Sequence, residues 1–168
     1  METPAWATFP HPVNELAART VAGGVALLTA VTLATQAWWL VPLLVLGFAA
    51  RVLAGPRFSV LGRLATQVVA PRLGPARMVP GPPKRFAQAI GLVLTAVAVV
   101  AAAAGTTALT AVLLVILLVF ALLESVVGFC AGCWVFGLLM RWGWVSEETC
   151  ADCQDIGARY GRQPAGRS

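Results

Sequence analysis

Four long apolar segments alternate with short polar stretches along the chain. They cover about residues 20–37, 38–54, 86–104 and 107–127. A spanning helix needs about 20 mostly apolar residues to cross a hydrocarbon core of about 30 Å, and a helix satisfies its own backbone polar groups in lipid. The pattern therefore predicts an all-α, polytopic membrane protein whose four transmembrane helices form one domain over residues 20–140.

The loop between the second and third spans, residues 55–85, divides into two parts. Apolar residues recur at helical spacing in the first part: Phe58, Leu61, Ala65 and Val68. This spacing predicts a short interfacial helix that contacts membrane lipid. In the second part, residues 71–83, seven of thirteen positions are Pro or Gly. We expect an irregular linker there, because Pro lacks a backbone donor and interrupts helices.

The fourth apolar segment is longer than one membrane crossing. Residues 107–140 are a stretch of 34 residues, and a single helix of that length would extend about 50 Å. Tilt absorbs only part of the excess over the hydrocarbon core. We expect an interruption at Gly128, with a span over residues 107–127 and a short helix over residues 130–141 at the inner interface.

Composition agrees with a membrane protein. Apolar residues are 59% of the chain and charged residues 11%, whereas soluble domains contain about 45–50% and about 25%. A chain of 168 residues could not bury so much apolar surface in water. A cleaved signal peptide is the alternative interpretation of the first segment. The n-region of a signal peptide is short and basic, whereas the stretch before this segment is long, and Glu2 and Glu15 offset the charge of Arg19.

The basic residues set the orientation. A four-pass topology puts all twelve on one side of the membrane: Arg19, Arg51, Arg57, Arg63, Arg72, Arg77, Lys84, Arg85, Arg141, Arg159, Arg162 and Arg167. The positive-inside rule then places both termini, residues 1–19 and 142–168, in the cytoplasm together with the loop of residues 55–85. Because no soluble domain lies behind these cations, we expect no nucleic-acid partner.

One cysteine pair is the main candidate for chemistry. Cys130 and Cys133 lie three residues apart, which puts them on one face of a helix. If the helix begins just after Gly128, its free N–H groups and dipole favour a thiolate at Cys130. Such a pair can cycle between dithiol and disulfide. The structural alternative is two small, buried apolar side chains.

Glu124 is the one carboxylate inside a predicted span. A buried charge needs a partner or a proton. Arg51 lies at a matching depth near the end of the second span, so an Arg51–Glu124 ion pair is one expectation. The other makes Glu124 a proton carrier for the cysteines. On a continuous helix Glu124 and Cys133 would face opposite sides, so the second expectation depends on the interruption at Gly128.

A second cysteine pair follows in the tail, at Cys150 and Cys153. Together the pairs have the spacing C-x2-C-x16-C-x2-C, within the range of four-cysteine zinc sites. The alternative metal site therefore comprises four residues: Cys130, Cys133, Cys150 and Cys153. Acidic neighbours surround the tail pair, and like charge opposes thiolate formation unless a metal compensates.

Three motifs carry a resemblance to a known family. They are the segment from Arg51 to Ser59, the segment Lys84-Arg85-Phe86-Ala87-Gln88, and Ala121-Leu122-Leu123-Glu124 with the downstream Cys130-Ala131-Gly132-Cys133. Over about residues 10–140 the chain resembles the bacterial membrane family catalogued as domain of unknown function 4395. The resemblance implies a small four-helix protein of the bacterial inner membrane and points to Arg51, Glu124, Cys130 and Cys133. Some members are encoded or fused with thioredoxin-like or rhodanese-type sulfurtransferase proteins.

Three functional hypotheses follow from these residues. In the first, Cys130 is the attacking thiolate, Cys133 resolves the mixed disulfide, Glu124 tunes protonation, and the partner is a cytoplasmic thioredoxin-like or sulfurtransferase protein. In the second, the four cysteines bind zinc and the protein is a scaffold rather than an enzyme. In the third, the protein transports a small sulfur species.

Overall fold

The computed structural model describes residues 13–55, 59–75 and 77–145. The described chain is all-α apart from one short antiparallel pairing of β1, Val13–Asn14, with β2, Met78–Val79. The helices are α1 Glu15–Thr35, α2 Val41–Ala54, α3 Val60–Leu64, α4 Ala70–Leu73, α5 Gly81–Ala103, α6 Thr107–Leu122 and α7 Ala131–Arg141. Three short segments complete them: a 3-10 turn Trp38–Leu40 before α2, a π turn Ala65–Val69 joining α3 to α4, and a π turn Leu123–Val127 extending α6.

Three helical segments are long and apolar enough to cross a membrane: Glu15–Thr35, Gly81–Ala103 and Thr107–Val127. The segment Trp38–Leu53 is apolar but shorter. The first segment begins five residues before the predicted span because Asn14 caps it: its side chain accepts a hydrogen bond from the Leu16 N–H at 3.0 Å. Such caps satisfy a donor that the first helical turn otherwise leaves unpaired.

The prediction of an irregular linker over residues 71–83 is wrong at both ends. Pro71 lies in the first turn of α4, and Pro82 and Pro83 lie in the first turn of α5. Pro82 and Pro83 are tolerated there because the N–H groups that they lack have no partner in the first turn of a helix. Of the described residues between the two helices, 74–75 and 77–80, none is helical, and β2 occupies two of them.

Contacts between helix ends show which ends lie together. Arg19 in α1 donates from Nε to the Ser125 carbonyl at 3.1 Å, and Arg85 in α5 donates from Nε to the Val52 carbonyl at 3.0 Å. The starts of α1 and α5 therefore meet the ends of α6 and α2. We call this end of the bundle, with Arg19, Arg51, Lys84 and Arg85, the basic end. The turns at residues 36–37 and 104–106 form the opposite end.

Small residues permit close helix packing. A Cβ added at Gly91 in α5 would overlap the ring of Phe48 in α2. The loop helix packs against α1 in the same way, since a Cβ at Gly24 would lie 2.7 Å from Leu61 Cδ2. Ala65 in the loop helix is buried, whereas Val60 is exposed. The loop is thus helical over residues 60–73. Of the stripe predicted to contact lipid, Leu61 and Ala65 instead face α1 and Phe58 lies outside the described residues, while Val60 is exposed on another face. The place of this helix at a membrane interface stays a prediction.

Candidate functional site

The helix interruption at Gly128 positions the cysteine pair. Gly128 has φ 78°, a left-handed conformation that glycine adopts without strain and that often ends helices. Its N–H donates to the Glu124 carbonyl at 3.1 Å, just after the π turn ends. After a short non-helical link the chain continues as α7 from Ala131. The predicted interruption at Gly128 is therefore confirmed, and the segment is two helices.

The second of these helices, α7, packs against the start of α5. A Cβ at Gly132 would lie 2.6 Å from Ala87 Cα, so glycine allows the two backbones to approach closely. Further along, the rings of Phe86 and Phe136 are 5.6 Å apart between centroids, a distance typical of stabilising aromatic pairs. This packing holds the first turn of α7, and with it both cysteines, beside the basic end of α5.

Cys130 is the N-cap of α7. Its backbone is extended and its Sγ accepts a hydrogen bond from the Cys133 N–H at 3.3 Å, so the predicted location at a helix N-terminus is confirmed. The hydrogen bond from the Cys133 thiol lowers the pKa of Cys130, and Lys84 also lowers it, against the opposing effects of burial and Glu124. The same hydrogen bond and burial raise the pKa of Cys133.

The ion-pair partner of Glu124 is Lys84, and the expected Arg51–Glu124 pair is wrong. Lys84 Nζ lies 2.6 Å from Glu124 Oε1, and the two side chains are only 10% and 14% exposed. Sequence reasoning missed Lys84 because it placed the residue in the loop before the third span, whereas it lies in the first turn of α5. The available signal was that Lys84 is a cation at the same depth as Glu124.

Arg51 has other partners. Its Nε donates to Gln88 Oε1 at 2.8 Å and its Nη1 to Ser59 Oγ at 3.2 Å. The guanidinium carbon lies 4.6 Å from the centre of the Phe48 ring, within the range of cation–π attraction. Arg51 therefore joins α2 to α5 and to the start of the loop helix. Sequence reasoning found Arg51 but not Gln88 or Ser59.

Two cavities meet at Cys130. The first, of about 260 Å³, lies among α1, α2, α5, α6 and the start of α7, and Glu124 and Cys130 line it. The second, of about 500 Å³, lies on the other side of the cysteine pair, and Lys84, Cys130 and Cys133 line it. Cys130 is thus accessible from an apolar space inside the bundle and from a wider space at the basic end.

The tail pair, Cys150 and Cys153, lies outside the described residues. Within the described part of the chain, no group of three or more His, Cys, Asp and Glu side chains could hold a metal ion. The four-cysteine zinc site therefore stays a prediction. The described cysteines, Cys130 and Cys133, are both free thiols.

Comparison with known proteins identifies a family. Neither the curated proteins nor the solved structures contain a match to the chain. A family model described as domain of unknown function (DUF4395) matches residues 13–141, which include Arg51, Lys84, Glu124 and the first cysteine pair. Because the match covers most of the chain and ends with the last residue of α7, the chain belongs to the DUF4395 family.

Proposed function

We propose that this protein is a four-pass membrane protein of the bacterial inner membrane that exchanges thiols and disulfides, or sulfane sulfur, with a cytoplasmic partner. The observation that carries the proposal is the setting of Cys130. Its sulfur caps α7 and accepts a hydrogen bond from Cys133, beside the buried Lys84 ammonium. A helix N-terminus and a nearby cation are the two features that favour a reactive thiolate.

Contacts of the shorter apolar helix support a fourth span. The end of α2 meets the start of α5 through Arg85 and Val52, and Phe48 packs on Gly91 further along both helices. If α1 and α5 both cross the membrane from the basic end, the chain has to cross back through α2, which lies between them in the sequence. With its 3-10 turn, α2 extends about 27 Å, which modest local thinning of the bilayer accommodates.

The basic end supports a cytoplasmic location for the site. Four cations, Arg19, Arg51, Lys84 and Arg85, have their polar contacts there. Under the positive-inside rule this end faces the cytoplasm, with both termini and the loop helix. The outward apolar face of the loop helix, including Val60, then contacts lipid. The helix α7 lies at the same interface, and the wide cavity opens to a soluble partner.

The chemistry assigns separate roles to the two cysteines. The Cys130 thiolate attacks a sulfur of the partner's disulfide, the partner's S–S bond breaks, and the partner's second sulfur leaves as a thiolate and takes a proton. The Cys133 sulfur, on losing its proton, then attacks Cys130 Sγ and releases the partner's other thiol. The partner is reduced and Cys130–Cys133 is oxidised. With a persulfide partner, Cys130 attacks the outer sulfur and carries it away.

Thiol labelling tests the proposal. Purified protein with Cys150→Ser and Cys153→Ser, which remove the tail pair, is oxidised mildly and treated with a maleimide. We expect Cys130 and Cys133 to be protected together and to become reactive again after dithiothreitol. We expect Cys130→Ser to leave Cys133 open to labelling after oxidation. Equal protection of Cys133 with and without Cys130 would overturn the assignment.

Metal analysis and trapping separate the alternatives. With all four cysteines present, a retained zinc of about one per chain, lost in Cys150→Ser, would replace this proposal by the zinc scaffold. Cys133→Ser should trap purified, oxidised thioredoxin on Cys130 as a mixed disulfide, whereas a persulfide-loaded rhodanese should leave a persulfide adduct on Cys130 that mass spectrometry detects as one added sulfur. A protein that binds no zinc and forms no such adduct would contradict both functions.

A further inference from the structure

The smaller of the two cavities, of about 260 Å³, reaches Cys130 from inside the helix bundle. Its walls are apolar for most of their extent, with residues from α1, α2, α5 and α6. Ile90 and Phe120 line it and are 37% and 45% exposed. In the proposed topology, side chains exposed at this position along α5 and α6 face hydrocarbon. The cavity therefore opens to lipid at one end and ends at Cys130, Glu124 and Gln88 at the other.

We propose that this cavity admits a single-ring quinone dissolved in the bilayer, which accepts the two electrons of the Cys130–Cys133 dithiol. The inference rests on the proposed function, because it needs a reactive cysteine pair. It adds the electron acceptor. Thiol–disulfide exchange is reversible. Run in the direction opposite to that described above, a partner dithiol reduces the Cys130–Cys133 disulfide from the wide cavity and becomes a disulfide itself, and the quinone then reoxidises the pair from the apolar cavity.

Size and chemistry favour this class of molecule. An apolar cavity of about 150 Å³ binds benzene, so about 260 Å³ holds one substituted ring. The acceptor must dissolve in hydrocarbon and take up two electrons with two protons. Lipid acyl chains fit the walls but accept no electrons, and polar disulfides do not enter an apolar space. A quinone meets both requirements.

The reaction balances without any further reagent. The Cys130 thiolate adds to the quinone ring and forms a C–S bond. Cys133 Sγ then attacks Cys130 Sγ, the C–S bond breaks, and its electron pair stays on the ring. The proton that Cys130 released on becoming a thiolate and the proton of the Cys133 thiol end on the two quinone oxygens, giving a hydroquinone and a disulfide. Glu124 lines the cavity beside Cys130 and passes a proton between sulfur and ring.

The experiment uses the full chain in lipid nanodiscs, with Cys150→Ser and Cys153→Ser as background and with the first pair reduced. Decylubiquinone is the apolar probe, because its fully substituted ring forms no stable thiol adduct. Bis(2-hydroxyethyl) disulfide is the water-soluble probe. Quinone absorbance and remaining free thiols are followed together. We expect one hydroquinone for every two thiols lost, and no reaction in Cys130→Ser.

Two variants separate the cavities. Ala121 lines only the apolar cavity and Gly137 only the wide one. We expect Ala121→Phe to slow the quinone reaction by at least about tenfold, since displacing a reactant by 1 Å can cost more than that, and to leave the soluble disulfide reaction unchanged. A Cβ at Gly137 meets nothing within 4 Å. We expect Gly137→Leu to slow the reaction with the soluble disulfide and to leave the quinone reaction unchanged. If Ala121→Phe does not fold, Ala22→Leu narrows the same cavity from α1.

The outcomes distinguish this inference from the proposed function. Oxidation of the pair by the soluble disulfide but not by decylubiquinone would overturn the quinone inference and leave the thiol exchange intact. An unchanged quinone rate in a folded Ala121→Phe protein would overturn the cavity assignment. Failure of both probes to oxidise the pair would overturn the proposed function itself.

Discussion

Replacing Lys84 by Met removes the ammonium of the buried ion pair and keeps a side chain of similar length. Nζ lies 2.6 Å from Glu124 Oε1. At that distance and an effective dielectric constant of about 20, Coulomb's law gives a gross attraction of about 6 kcal/mol. Desolvation offsets part of this attraction. Removing one partner of a buried pair costs about 3–5 kcal/mol, because the remaining charge is left unpaired, so we expect Lys84→Met to lower the free energy of unfolding by that amount.

A double variant identifies the cause of the loss. Glu124→Leu added to Lys84→Met removes the unpaired carboxylate, and replacing a buried ion pair by apolar side chains is often neutral. We therefore expect the double variant to recover most of the lost stability. Stability is measured in detergent micelles by titration with sodium dodecyl sulfate, with helix content followed by circular dichroism.

The neighbouring cation provides a matched control. Arg85 lies in the same turn of α5, is exposed and donates to the Val52 carbonyl, so Arg85→Met should cost only about 1 kcal/mol. If the stability lost in the Lys84→Met/Glu124→Leu variant equals the sum of the losses in Lys84→Met and in Glu124→Leu, then Lys84 and Glu124 are not coupled. A loss in Lys84→Met no larger than in Arg85→Met would show that the pair is not buried. Either result would refute the reasoning.

Two further predictions concern the thiolate and the packing of α2 on α5. Because the pKa of Cys130 is lowered, the rate of its alkylation by iodoacetamide should rise with pH around a midpoint below the value of about 8.5 for free cysteine. The stability that ionisation of Cys130 contributes should be lost as the pH falls through this lowered pKa. A midpoint at or above about 8.5, measured by site-resolved mass spectrometry, would contradict the assignment. A side chain at Gly91 would overlap Phe48, so Gly91→Val should lower the free energy of unfolding by about 1–3 kcal/mol. Gly137→Ala, the control, should not lower it. Equal losses in the same detergent titration would contradict the packing of α2 on α5.

Elements that depend on local sequence could be predicted well. The apolar segments, the helix in the loop and the interruption at Gly128 depend on composition, periodicity and one glycine, all of which act within a few residues. The start of α5 could not be predicted, because Gly81-Pro82-Pro83 is equally compatible with a linker and with a first helical turn. The choice between a linker and a first helical turn depends on tertiary contacts, which are the pairing of β1 with β2 and the arginine contacts at the helix ends.

The sequence by itself determined the depth of each polar residue along its helix, and therefore that Glu124, Arg51 and the cysteine pair lie near the same end of the bundle. The tertiary structure alone decided which of them meet. Helix rotation and neighbour order depend on packing between distant small residues such as Gly91 and Gly132. That packing turns Lys84 rather than Arg51 towards Glu124 and sets Cys130 between two cavities, because contact in a bundle depends on the direction in which a side chain points as well as on its depth.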